Sequence, residues 1–202
     1  MNSTMLAVWL VMSAPACALY AAAAANRGAA TANVAKFSWA LLFASAATFA
    51  TMFAPGLMEA VGALALMSML TYLAVFDLKA LAVPVWPTLS FTPPGLALAL
   101  IQGDALEHAL SAGGGWLAFR ALDGFYRWAR GRSGLGAGDA LIAALIGAWV
   151  SWEGLVWSVA CAGVLGLGWA LLSRANRHEA LPFAPALALG VGVFLIASGL
   201  SR

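Results

Sequence analysis

The chain has 202 residues, of which 63% are hydrophobic and 9% charged, with a formal net charge of +2. Soluble domains carry about 25% charged residues, and one soluble core cannot hold this much apolar material, whereas a bilayer solvates it. The small net charge gives no basis for a nucleic-acid partner, and Cys17 and Cys161, far apart and in no C-x-x-C pair, suggest neither a zinc knuckle nor a redox motif.

Eight apolar segments follow one another, at about 5–25, 37–54, 57–76, 83–102, 105–126, 137–152, 154–173 and 181–200. A spanning helix needs roughly 20 residues, so the expected fold is all-α and polytopic, with about eight transmembrane helices. Met1 to Met5 carries no Lys or Arg, so the first segment reads as a retained helix rather than a signal peptide. The fourth segment holds Pro84, Pro87, Pro93 and Pro94 and is expected to be short or broken, its freed backbone groups satisfied by neighbours. No repeat, low-complexity linker or long polar stretch divides the chain. It reads as one integral-membrane domain, 1–202, with two N-terminal helices in 1–56 and a six-helix core in 57–202.

Charge sets the expected orientation. With the N-terminus periplasmic, the cytoplasmic connections hold Arg27, Lys36, Lys79, Arg127, Arg130, Arg132, Arg174 and Arg177. Arg120 can snorkel from the cytoplasmic half of the fifth span, and only Arg202 falls outside the pattern. The outer turns hold Glu59, Asp104, Glu107 and Glu153 without Lys or Arg. This is the positive-inside arrangement of a multi-pass inner-membrane protein. Trp149, Trp152 and Trp157 flank Glu153, and Trp128 adjoins the basic loop; both are expected to form interfacial aromatic belts. His108, beside Glu107 and Asp104, reads as a solvated rim rather than a metal site, and His178 as loop. Gly113, Gly114 and Gly115 are expected to permit close helix packing.

The same topology sets Asp77, ending the third span, and Asp139, beginning the sixth, on one membrane side. Ionisable groups at membrane depth are expensive and tend to be functional. Asp123 has a natural partner in Arg127 four residues on; Asp77 and Asp139 have none at helical spacing. Two carboxyls in low dielectric share a proton, which supplies a base to activate water and an acid to protonate a leaving amine. The alternative is that each caps a helix, which the dipole favours for Asp139 at a helix start and disfavours for Asp77 at a helix end. Gly136 and Gly138 just before Asp139 would make room for an extended substrate chain. This chemistry calls for no metal and no cofactor.

Three patches are more specific. The stretch from Gly131 through Gly136-Ala137-Gly138-Asp139 to Trp149 resembles the second active-site region of the type IV prepilin peptidases, where a basic loop precedes G-x-G-D. Phe76-Asp77-Leu78-Lys79, followed by Val83-Pro84, resembles the first region, an Asp-x-Arg followed by Ile-Pro-Asn. Pro182-Phe183-Ala184-Pro185 resembles the Pro-Phe-Gly-Pro opening of the family's last helix.

The resemblance implies a membrane-embedded aspartic endopeptidase that removes the basic leader of prepilins or pseudopilins at the cytoplasmic membrane face. Asp77 and Asp139 would be its catalytic pair, with Gly136, Gly138, Lys79 and Pro84 around the substrate. The expected partners are thus a prepilin or pseudopilin and the lipid bilayer. The chain departs from the family's pattern at Leu141, where a Lys is usual, at Val85, where Asn is usual, and at Lys79, where Arg is usual. The connection at 26–36 lacks the paired cysteines linked to N-methylation of the pilin, so peptidase activity without methyl transfer is expected. Two alternatives stay open: a non-catalytic relative acting in pilus or secretion assembly, and a small transporter using the inner acids and the broken fourth segment.

Overall fold

A computed structural model describes residues 56–131, 136–172 and 183–200. The first two expected spans, the connection between them, and His178 lie outside these residues. Every regular element described is a helix: α1 (Leu57–Ala80), α2 (Val85–Gln102), α3 (Ala105–Arg130), α4 (Ala137–Leu172) and α5 (Ala184–Leu200). Leu57–Leu78 and Ala137–Gly168 are long and apolar enough to cross a membrane, and Ala184–Ser198 is a shorter apolar helix.

α1 stops at Leu81, which adopts a left-handed conformation (φ 48°, ψ 40°) and donates its N–H to the Asp77 carbonyl at 2.8 Å. A left-handed residue ends a helix because it turns the chain away while closing the last carbonyls. Pro84 then opens α2 with an extended backbone, as its fixed φ and missing N–H allow at a helix start.

The fourth segment, expected to be short or broken, is short and unbroken: α2 has 18 residues and runs continuously through Pro93 and Pro94. Each proline removes a donor from the helix interior. Hydroxyls of α2 turn back onto carbonyls of the preceding turn: Thr88 to Pro84 at 2.8 Å, Ser90 to Pro87 at 3.0 Å and Thr92 to Thr88 at 3.0 Å. From α4, the Trp149 indole N–H reaches the Phe91 carbonyl at 2.9 Å. Trp149 therefore does not belong to an aromatic belt. Its ring stacks on Phe91 at 5.1 Å and fills the notch at Gly95, where an added Cβ would lie 2.5 Å from the ring. Trp152, Trp157 and Trp128 remain exposed.

α4 is bent at Ser151 (φ 61°, ψ −170°). Gly115 of α3 meets both Ala143 and Leu155, which would stand about 18 Å apart on a straight helix. The chain therefore folds back at Ser151, two residues before the expected turn at Glu153, and 137–150 and 152–172 pack side by side. Gly154 makes the reversal possible, its α-carbon facing Val150 and Phe194 too closely for a side chain. The core between the helices is built from Leu66, Met67, Leu70 and Leu73 of α1, Ile142, Leu145 and Ile146 of α4, and Leu187 and Val191 of α5.

Candidate functional site

α3 and the first arm of α4 run antiparallel in a register fixed by small residues. The Ser111 backbone lies against Gly147, and Gly115 lies against the Ala143 carbonyl. A side chain at either glycine would push the helices apart. Continuing this register toward the loop sets Phe119 of α3 level with Asp139 of α4. Phe119 is buried, and its ring meets that of Phe183 at 6.3 Å. Phe183 immediately precedes α5, whose first amide, Ala184 N–H, donates to Asp77 Oδ2 at 3.0 Å. Both aspartates therefore sit at one end of the bundle, around Phe119 and Phe183.

Asp77 is 6% exposed. Its partner is 107 positions away in sequence, so no local spacing could reveal it. Within α1 the carboxylate stands at the unfavourable end of the helix dipole. Across the fold it stands at the N-terminus of α5, where orphan N–H groups and the dipole both favour an anion. The dipole objection to Asp77 thus disappears once α5 is in place.

Asp139 occupies the first turn of α4. Gly136 N–H donates to Asp139 Oδ2 at 2.9 Å, and Asp139 N–H donates to the Gly136 carbonyl at 3.1 Å. This is the half of a capping box in which an acid reaches back to the residue preceding the helix. Both aspartates thus accept a backbone N–H at a helix N-terminus, Asp77 from Ala184 and Asp139 from Gly136.

The other expected site residues occupy the same end. Pro84 accepts the Thr88 hydroxyl at the start of α2, and Lys79 lies in the last turn of α1. The space beside Gly138 holds Val83: an added Cβ would come 2.5 Å from the Val83 Cβ. The glycine thus lets the α1–α2 connection close onto the Asp139 turn. At Gly136 a Cβ would stand 3.3 Å from Asp139 Oδ2.

Asp123 forms the ion pair expected from its spacing, with Arg127 at 2.8 Å, yet it is also buried, one turn along α3 from Phe119. The signal was available in the stripe Ser111, Gly115, Phe119, Asp123, four residues apart along the buried face of α3.

The opposite end gathers the other four acids of the described residues. Glu59, Asp104, Glu107 and Glu153 line a cavity of about 890 Å³ together with His108 and Trp157. His108 is more than a solvated rim, since its Nδ1–H donates to the Ala148 carbonyl at 3.0 Å and ties α3 to α4. Among the described residues no group of three or more His, Cys, Asp or Glu side chains could hold a metal ion.

The model of the type IV leader peptidase family matches residues 64–171, which include both Asp77 and Asp139. The chain is 36% identical over 144 residues to the prepilin leader peptidase/N-methyltransferase of Pectobacterium carotovorum subsp. carotovorum, covering 66% of this chain and 50% of that protein. It is 29% identical over 143 residues to the protein of that name in Aeromonas salmonicida, covering 66% and 48%. In Myxococcus xanthus the likeness is 39% over 101 residues, covering 48% and 30%. The chain thus spans about half the length of the first two relatives, and no solved structure matches it.

Proposed function

The chain belongs to the type IV leader peptidase family, and from that premise we propose that it is a membrane-embedded aspartic endopeptidase that removes the leader from prepilins or pseudopilins. Asp77 and Asp139 are its catalytic pair. The observation that carries this reading is their convergence at one end of the bundle, each carboxylate oriented by a helix N-terminus. The topology we propose has eight spans in a single domain, with a periplasmic N-terminus and the aspartate end at the cytoplasmic face of the inner membrane. Apolar helices of spanning length and the placement of Lys and Arg support it.

In the reaction, one carboxylate takes a proton from water as its oxygen attacks the scissile carbonyl carbon. The protonated partner then gives its proton to the leaving nitrogen as the C–N bond breaks. The backbone donors hold both acids in place beforehand, so little reorganisation accompanies the step. The apolar segment of the substrate lies in the bilayer beside the helices, presenting the peptide bond at the depth of the two acids. Gly136, Gly138, Lys79 and Pro84 surround that bond. The proposal is confined to peptidase activity, although the relatives' names also carry an N-methyltransferase.

Co-expression with a candidate prepilin, followed by leader removal on a gel, tests the proposal. Wild type is expected to process the prepilin, and Asp77→Asn and Asp139→Asn are not. Equal processing by all three sinks the mechanism. Leu141 and Val85, the positions that lack the family's usual polar side chains, favour a second reading as a non-catalytic assembly component. Prepilin that co-purifies with the protein but is never cut would support it.

A further inference from the structure

Asp123 is a buried acid that the proposed reaction leaves unused. Its side chain is 5% exposed while that of its partner Arg127 is 56% exposed. The cationic head thus reaches outward and the carboxylate remains inside. The register of α3 against α4 locates that carboxylate: with Phe119 level with Asp139, Asp123 lies one helical turn, about 5 Å, further along the same face. It therefore stands beside the turn from Gly136 to Asp139. The contact between Phe119 and Phe183 fixes the rotation of α3, because both rings are held at the base of α5. Asp77 of α1 and Asp123 of α3 lie at the end of the bundle that holds Asp139, with Arg127 behind Asp123. α2 and α5 carry no Asp, Glu, Lys or Arg.

We propose that Asp123 is a positioning residue that acts through Asp139: its charge biases the proton shared by the Asp77–Asp139 pair onto Asp139, leaving Asp77 at the N-terminus of α5 as the ionised member. Like charges close together cannot all ionise cheaply. Asp77 and Asp139 each have a backbone donor at a helix N-terminus, but Asp123 lies one turn along α3 from the residue level with Asp139, so the added charge weighs on Asp139. The two acids thereby acquire distinct roles. Asp77 takes the proton from the attacking water, and Asp139 gives its own to the leaving nitrogen. This assignment rests on the aspartic-peptidase reading, but the placement of the proton is measurable without catalysis.

The test is an infrared pH titration of the purified full-length protein in detergent micelles. The carboxyl band of Asp139 is identified by its loss in Asp139→Asn. Removing the neighbouring charge in Asp123→Asn is expected to move the midpoint of that band to lower pH by about one unit. Arg127→Gln, which strips the counter-charge from Asp123, is expected to move it the opposite way, and Asp123→Glu to restore it. In parallel, Asp123→Asn should displace the pH profile of leader cleavage in the same direction with KM within about twofold of wild type. A midpoint unmoved by Asp123→Asn overturns the proposal, whether or not the protein cleaves. A midpoint that moves in a protein that cuts no prepilin keeps the electrostatic assignment and removes the peptidase reading instead.

Discussion

The two ends of the helix bundle both collect acids, and they treat them in opposite ways. At one end Asp77 and Asp123 are buried, Asp77 and Asp139 accept backbone N–H groups, and glycine brings the loop carrying Val83 hard against the Asp139 turn. At the other, Asp104, Glu107 and Glu153 are exposed around an open cavity, with no backbone donor aimed at any of them among the hydrogen bonds of the described residues. Residue type alone therefore says little about which acids do chemistry. What separates the ends is the fixing of the carboxylate: a buried anion needs donors, and donors at helix N-termini also fix its direction.

The sharpest way to break this comparison is to neutralise one acid at each end. Asp77→Asn or Asp139→Asn should lower leader cleavage by about 10²–10⁴-fold, the range for losing a general acid or base, with the protein still inserted and folded. A drop of that size at Glu153→Gln instead would put the working end on the wrong side. The next effect concerns the closed loop. Gly138→Ala forces a Cβ against Val83, and overpacking of this kind costs about 1–3 kcal/mol. Thermal unfolding in detergent should show the loss, and Val83→Gly, which removes the opposing Cβ, should recover part of it. Independent, additive effects of the two changes would mean that the loop does not close there.

Smaller again is Trp149→Phe, which keeps the stacked ring against Phe91 but removes the N–H that serves the proline-interrupted stretch of α2. About 1 kcal/mol of stability should go, with cleavage little changed at working temperature; a wholly unchanged melting curve would show that α2 needs no outside donor. The smallest expected effect belongs to the cavity end. Glu107→Gln and Glu153→Gln, as exposed changes, should stay within about 0.5 kcal/mol and leave processing intact in the gel assay.

Much of this architecture was legible in advance. Apolar runs marked α1, α3, both arms of α4, and α5, and the acids of the outer turns do meet at one cavity. The common end of Asp77 and Asp139 followed from counting spans and charges. The fourth segment is short, as its four prolines suggest, but unbroken: proline reads locally as a breaker, while the packing of Trp149 against it is invisible along the chain. Trp149 was misjudged because an indole near a turn looks interfacial until Gly95 is seen to open a notch for it. Asp123 was half seen: the partner at i+4 was correct, but the burial was not visible beside it.

The sequence by itself determined which stretches are helices and which end of each helix meets which other, because apolar length and terminal charge act along one element at a time. The tertiary structure alone decided that Asp77 is capped by α5, that Val83 fills the space at Gly138, and that Asp123 is buried. These depend on how each helix is rotated and slid against its neighbours. Small residues such as Gly115 and Gly147 set that register through backbone contacts, and a contact across elements leaves no period in the chain that makes it.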